Sequence, residues 1–190
     1  MGILNVTPDS FSDGGRFLDP ARAAAQGLRL EAEGADLLDV GGESTRPGSP
    51  PVPLDEELRR VIPVIARLAK AVRIPLSVDT SKAEVARRAL EAGAALINDV
   101  TALRGDPRMA EAAVRSGAAI ILMHMQGTPR TMQRRPRYRD VIGDVTEFLR
   151  QAAGQAEAAG IECRRILIDP GLGFGKTVAH NLVLMRGLSR

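Results

Sequence analysis

Three polar side chains stand where short apolar runs end. Asp79 closes Leu76-Ser77-Val78-Asp79, Asn98 closes Leu96-Ile97-Asn98, and Asp169 closes Ile166-Leu167-Ile168-Asp169. Carboxylates only accept hydrogen bonds, whereas an amide both donates and accepts. Polar groups gathered at the C-terminal ends of such strands are where α/β enzymes place their chemistry. Asp99 is a weaker candidate than its neighbour Asn98, because successive strand residues point to opposite faces. The structural alternative is that Asp79 and Asn98 cap the helices that follow, although Ser81 already fits that part after Asp79. Nothing resembles a Ser–His–Asp or Cys–His arrangement. The only two histidines, His124 and His180, fall in separate contexts, which argues against a zinc site. His124, at a strand end, fits a structural part, and His180 is expected to face its helix neighbours.

The elements that must position these tips recur along the chain. Further apolar runs with polar or glycine-rich tips are Gly2-Ile3-Leu4-Asn5-Val6-Thr7, Leu37-Leu38-Asp39-Val40-Gly41-Gly42-Glu43 and Ile120-Ile121-Leu122-Met123-His124. Near-continuous apolar strands alternating with helices predict a parallel sheet buried on both faces. Asp19-Pro20 reads as an N-cap with proline in the first turn of a helix that runs to Gly34. Ser81-Lys82-Ala83-Glu84 fits a capping box opening a helix that closes at Gly93, and Asp106-Pro107 opens another that closes at Gly117. Val141, Val145, Phe148, Leu149, Ala152 and Ala156 keep helical spacing toward Gly160. Leu58, Val61, Ile62, Ile65 and Leu68 do the same, with a kink expected at Pro63. Four helices thus end in a glycine suited to the left-handed position past a helix end.

Six strand–helix units follow in series, the last helix starting near Val178, with no linker or low-complexity stretch between them. No dinucleotide fingerprint follows the first strand, so the fold class expected is α/β, a (β/α)8 TIM barrel. Such a barrel takes about 250 residues. With about six units present and Met1 against strand one, residues 1–190 are expected to be a single barrel domain that lacks its last two units and its extreme N-terminus.

Composition narrows the partners. The 190 residues are 44% hydrophobic, with no transmembrane-length apolar run and no signal-peptide pattern, which predicts a cytoplasmic protein with no membrane partner. The single cysteine, Cys163, excludes an intrachain disulfide framework and, in a polar link, reads as inert. Net charge is only +3, and arginine pairs such as Arg59-Arg60, Arg87-Arg88 and Arg164-Arg165 read as solvated helix or loop faces. Four Phe, one Tyr and no Trp leave little to stack on bases, so nucleic acid is not an expected partner. An anionic small substrate accounts better for some of the arginines.

Longer motifs carry a family resemblance. Gly2-Ile3-Leu4-Asn5-Val6-Thr7-Pro8-Asp9-Ser10-Phe11-Ser12-Asp13-Gly14-Gly15 and Asp39-Val40-Gly41-Gly42-Glu43-Ser44-Thr45-Arg46-Pro47-Gly48 resemble the first two signatures of the dihydropteroate synthase family. Ser77-Val78-Asp79-Thr80, Asn98-Asp99-Val100, Met123-His124-Met125-Gln126-Gly127-Thr128-Pro129 and Asp169-Pro170-Gly171-Leu172-Gly173-Phe174-Gly175-Lys176 are similar to later motifs, in the family's order. The resemblance spans essentially the whole chain and implies a pterin-binding barrel domain. The implied activity joins 6-hydroxymethyl-7,8-dihydropterin diphosphate to 4-aminobenzoate in folate biosynthesis, releasing pyrophosphate.

The same resemblance implies roles. Asp79, Asn98 and Asp169 would hold the pterin, whose N–H and amino donors beside a carbonyl match two carboxylates and an amide. Val100 and Met123 would sandwich the ring, with Gly173 and Phe174 along its wall. Asn5 would help position Mg²⁺ and the diphosphate, since magnesium keeps several waters and takes phosphate oxygens. Asp13 and Arg46 would act from loops closing over the site, Asp13 favouring a developing pterin cation and Arg46 facing anionic or aminobenzoate groups. Phe11, Thr45 and Pro47 would shape the aminobenzoate pocket. A dissociative reaction, in which the ring delocalises charge as diphosphate leaves, needs no protein nucleophile.

The family pattern continues with a Ser-Arg-Lys and an Arg-x-His segment, whereas this sequence stops at Leu188-Ser189-Arg190. A homodimer is expected by resemblance. The alternatives are a pterin-binding methyltransferase domain, disfavoured by the two loop motifs, and a non-catalytic pterin-binding relative.

Overall fold

The computed structural model describes residues 1–7, 19–45 and 48–188. It contains six parallel strands: β1 (Gly2–Asn5), β2 (Leu38–Gly41), β3 (Leu76–Asp79), β4 (Leu96–Asp99), β5 (Ala119–Met123) and β6 (Ile166–Asp169). A helix follows each: α1 (Pro20–Ala32), α2 (Leu54–Ala71), α3 (Ala83–Glu91), α4 (Met109–Ser116), α5 (Val141–Ala158) and α6 (Val178–Gly187). The strands lie side by side in chain order. The α/β reading is therefore observed, with six consecutive units in the order of a (β/α)8 barrel.

Alternation along the strands divides the residues between two environments. Leu4, Val6, Leu38, Val40, Leu76, Val78, Ile97, Ile120 and Leu122 join one buried cluster with Val61, Ile65, Leu68, Val85, Ala89 and Met109 from the helices. The intervening positions face the other side of the sheet, toward the barrel interior. Helix contact is close where side chains permit it: a Cβ at Gly27 in α1 would stand 2.6 Å from Leu68 of α2.

Helix ends largely follow the sequence. Asp19 accepts from the Ala21 N–H at 2.8 Å with Pro20 opening α1. Gly34, Gly93, Gly117 and Gly160 all hold positive φ just past their helices. The helix α2 runs through Pro63, whose ring lies on an exposed face.

Two caps depart from expectation. The capping box at Ser81 does not form, because the N-cap of α3 is Lys82 and carries no side-chain bond. The cap arrives from elsewhere in the chain: Asp106 accepts from the Ala83 N–H at 3.0 Å through one oxygen and from the Arg108 N–H at 3.0 Å through the other. With its carboxylate shared in this way, Asp106 precedes a turn, and α4 begins at Met109 rather than at Pro107. Burial would raise the Asp106 carboxyl, but these donors outweigh it and hold it low.

Candidate active site

Parallel register sets the predicted tips in rows. Asn5 pairs with Gly41, Gly41 with Asp79, and Asp79 with Asn98, giving one continuous row across β1 to β4. Met123 pairs with Asp169 in β5 and β6, two residues nearer the strand ends than Ile121, the partner of Asn98. Period-two alternation puts all of these on the inner face, at one mouth. Asp99 points the other way and accepts from Thr101 N–H at 2.8 Å and Leu103 N–H at 2.7 Å. It thereby holds a turn in which Ala102 and Leu103 both adopt positive φ.

Asp79 caps nothing. The Thr80 hydroxyl accepts from the Lys82 N–H and Asp106 from that of Ala83. Among the described residues none hydrogen-bonds the Asp79 carboxylate, and no buried side-chain oxygen is left unpaired, so its oxygens keep some solvent exposure in a half-buried residue. Its neighbour Gly41 leaves room for it, since a Cβ there would lie 3.3 Å from Oδ2 of Asp79. Burial, and then the negative charges of Asp39, Glu57, Asp99 and Glu43, push this carboxyl well above the usual range. Ionising Asp79 is thus costly in the free site, and a ligand offering N–H donors would favour its ionised form.

Asn98 does not cap a helix either. Its Nδ2 donates to Oδ2 of Asp39 at 2.9 Å, and the Ser77 hydroxyl donates to Oδ1 of Asp39 at 2.5 Å. Asp39 and Ser77 are buried and paired in register one row below Gly41 and Asp79.

Asp169 uses one oxygen to shape its own loop, with Oδ1 accepting from the Gly171 N–H at 2.7 Å. The loop is then pinned from within by Lys176, whose Nζ meets His124 Nδ1 at 2.9 Å and the carbonyls of Gly171 and Phe174 at 2.9 and 3.0 Å. Burial and the adjacent Lys176 pull His124 down to about 4, so it is neutral and accepts from the ammonium. Its ring packs edge-on against Phe148 at 4.9 Å. His180 faces a neighbour on its own helix, as expected, completing a capping box with Thr177. Cys163 is exposed in a 3-10 turn and its thiol is pushed up by Glu157, the opposite of an activated nucleophile.

Beside the inner row lies an apolar patch in which Val100, Met123, Met125 and Met132 are buried together and Phe174 packs against them. Three of these five came from the sequence; Met125 and Met132 did not. Gly173 lies in the same loop with positive φ, its carbonyl accepting from Gln133 at 2.6 Å.

The candidates Phe11, Asp13, Arg46 and Pro47 lie outside the described residues. Thr45 is described, half-buried at the start of the second loop. The root of that loop is fastened: Arg60 donates to the Gly42 carbonyl at 2.9 Å, and Lys82 bridges Glu43 and the fully buried Glu57. Thr80 also donates to Glu57, at 2.6 Å.

Sequence reasoning passed over Asp39 and Ser77. The available signal was their spacing, two residues before Gly41 and Asp79 and so on the same face.

Comparison with known proteins bears on this arrangement. The family model described as "Pterin binding enzyme" matches residues 1–190. A dihydropteroate synthase from Escherichia coli is 47% identical over 189 residues, covering 100% of this chain and 67% of that protein. A Xanthomonas albilineans dihydropteroate synthase solved with 4-aminobenzoic acid is 55% identical, with a TM-score of 0.90 over 98% of this chain and 66% of its own. Another structure of that enzyme, in complex with 7,8-dihydropteroate, gives 52% identity and a TM-score of 0.86, covering 98% of this chain and 65% of its own. The chain thus spans about two thirds of the length of these relatives. On the match along its full length, the chain belongs to the pterin-binding enzyme family, among the dihydropteroate synthases.

Proposed function

We propose that this protein acts as a transferase that condenses 6-hydroxymethyl-7,8-dihydropterin diphosphate with 4-aminobenzoate, giving 7,8-dihydropteroate and pyrophosphate. The observation that carries the reading is the inner-face set of Asp79, Asn98 and Asp169 next to the apolar patch of Val100, Met123 and Phe174. A flat heterocycle with donors on its edge finds acceptors on one side and apolar walls on the other. The relatives solved with 4-aminobenzoic acid and with 7,8-dihydropteroate support the second substrate and the product.

In this reading the C–O bond to diphosphate breaks and its electron pair leaves with pyrophosphate. The pterin methylene becomes cationic, the ring delocalises that charge, and nearby carboxylates favour it. The aniline nitrogen of 4-aminobenzoate then forms the C–N bond and loses its proton to solvent. The aminobenzoate side belongs to Phe11, Thr45 and Pro47, and loop closure to Asp13 and Arg46.

Magnesium is part of the reading only as a companion of the diphosphate, whose charge it would neutralise. Among the described residues no group of three or more His, Cys, Asp or Glu could hold a metal. Asn5, exposed at the end of β1, offers one amide oxygen, which fits an ion held mainly by phosphate oxygens and water. No described helix is long and apolar enough to cross a membrane. A cytoplasmic location, from the absence of a signal pattern, and a homodimer, from the family resemblance, are part of the proposal, and sedimentation velocity tests the dimer.

The test supplies purified protein with dihydropterin diphosphate, labelled 4-aminobenzoate and Mg²⁺. Labelled dihydropteroate is the expected product. Pterin binding without product would favour the non-catalytic relative, and absence of pterin binding would overturn the assignment.

A further inference from the structure

Asn98 has an amide whose two ends differ chemically, and its usefulness depends on which end faces the ligand. The structure contains a device that decides this. Asp39 is buried one row beneath the site, 4% exposed, and receives both the Asn98 Nδ2 at 2.9 Å and the Ser77 hydroxyl at 2.5 Å. Both carboxylate oxygens of Asp39 are therefore occupied by inner-face donors from the next two strands, β3 and β4.

We propose that Asp39 is a positioning residue that locks the Asn98 amide, holding one of its N–H groups so that the Asn98 oxygen and the remaining N–H face the pterin edge. An ionised carboxylate cannot donate, so a flipped Asn98 would bring two acceptors together inside the sheet, with no donor between them. Ser77, fully buried, fixes the other oxygen and so the plane of the Asp39 carboxylate. The neighbouring acids share this logic. Burial raises the Asp39 carboxyl, yet the donors Ser77 and Asn98 counteract it, whereas Asp79 receives no such donor and is displaced further. The two donors, each on its own oxygen, give Asp39 the acceptor character that the lock requires. Discrimination follows: a ring edge presenting a donor beside an acceptor is accepted at Asn98, and an edge with the two exchanged meets like groups.

This inference rests on the pterin reading above, and the test separates the two. Pterin affinity is titrated for wild type, Asp39→Ala, Asp39→Asn, Ser77→Ala, Asn98→Ala and the double variant Asp39→Ala/Asn98→Ala, with melting curves for each. Asp39→Ala should weaken binding about tenfold. Asp39→Asn, which still offers Asn98 an acceptor, should recover most of that loss, and Ser77→Ala should fall between them. In the Asn98→Ala background, Asp39→Ala should cost no more than about twofold, because the group it positions has gone. A second readout needs no ligand: one Asn98 side-chain amide proton should exchange slowly with solvent in wild type and rapidly in Asp39→Ala. Equal losses for Asp39→Ala and Asp39→Asn, full additivity with Asn98→Ala, or unchanged amide exchange would each overturn the lock. If Asp39→Ala does not fold, Ser77→Ala with the amide readout decides the matter alone. Wild-type protein that binds no pterin, yet keeps the protected Asn98 amide, overturns the ligand reading while leaving the lock intact.

Discussion

The Lys176 ammonium lies 2.9 Å from Nδ1 of His124, so a buried cation from the β6–α6 loop is held by a neutral imidazole at the end of β5. The Lys176 Nζ also donates to the Gly171 and Phe174 carbonyls and, at 3.3 Å, to that of His124, so one side chain fixes the path of the loop carrying Phe174. Lys176→Met keeps the length and apolar stem but leaves four acceptors, His124 Nδ1 and the carbonyls of His124, Gly171 and Phe174, without this donor. The substitution should cost about 2–4 kcal/mol of stability, read from urea denaturation, and should weaken pterin binding by loosening the Phe174 wall. An unchanged urea midpoint would show that the ammonium does not hold the loop.

Asp79→Asn should separate stability from function. The folded-state carboxyl is raised, by burial first and then by Asp39, Glu57, Asp99 and Glu43. Its contribution to stability is therefore full below the unfolded-state value and is lost as pH rises through the folded-state value. Asparagine does not ionise, so above that range the variant should melt higher than wild type, by about 2–4 °C for each kcal/mol relieved. Pterin affinity should meanwhile fall about 10- to 100-fold, the loss of hydrogen bonds to a charged acceptor. Melting curves at acid and alkaline pH, paired with binding titrations, check both halves.

Proton release is the corresponding pH signature of binding. A ligand whose N–H groups favour ionised Asp79 lowers the raised carboxyl and so releases protons on binding. Pterin affinity should rise with pH until Asp79 is ionised in the free protein. Calorimetric binding enthalpy should vary with the ionisation enthalpy of the buffer, and independence from buffer would contradict that release.

Gly171 and Gly173 both hold positive φ, but only one is crowded. A Cβ at Gly171 would stand 2.0 Å from the His124 carbonyl oxygen, whereas nothing lies within 4 Å of one at Gly173. Gly173→Ala should cost only the backbone strain, about 1 kcal/mol. Gly171→Ala must move the chain as well and should exceed about 3 kcal/mol. Comparable denaturation midpoints for the two would refute the close approach of this loop to β5.

The Lys82 bridge gives a fourth contrast. Glu57 is fully buried and paired with Lys82, which also holds Glu43 at the root of the second loop. Lys82→Met strands the buried carboxylate and should destabilise by about 3–5 kcal/mol. Adding Glu57→Gln should restore part of that, and a double variant no more stable than Lys82→Met would argue against the pairing.

Much of this molecule is legible from its sequence because strand and helix obey different periods. Apolar runs ending in Asp79, Asn98 and Asp169 mark strand tips, and alternation correctly separated Asn98 on the inner face from Asp99 in its turn. Glycines 34, 93, 117 and 160 mark helix ends because each holds a left-handed backbone. What stayed hidden depends on residues distant in sequence. The cap of α3 comes from Asp106, 23 residues onward, so a local capping box at Ser81 was the natural but incorrect reading. Asp39 meets Asn98 across 59 residues and two intervening helices. A lone acid inside an apolar run gives no local sign of such a partner. Met125 and Met132 become part of the apolar patch only when the loop after β5 folds back beside Phe174.

In the proposed function a pterin ring rests against the inner-face tips of β3, β4 and β6. The most direct measurement is a crystal structure of the protein with dihydropterin diphosphate bound. Ring nitrogens are expected within about 2.7–3.2 Å of Asp79, Asn98 and Asp169, with the ring faces against Val100, Met123 and Phe174. A ring seated elsewhere, with Asp79 and Asn98 making no contact to it, would show that these strand tips do not form the pterin site.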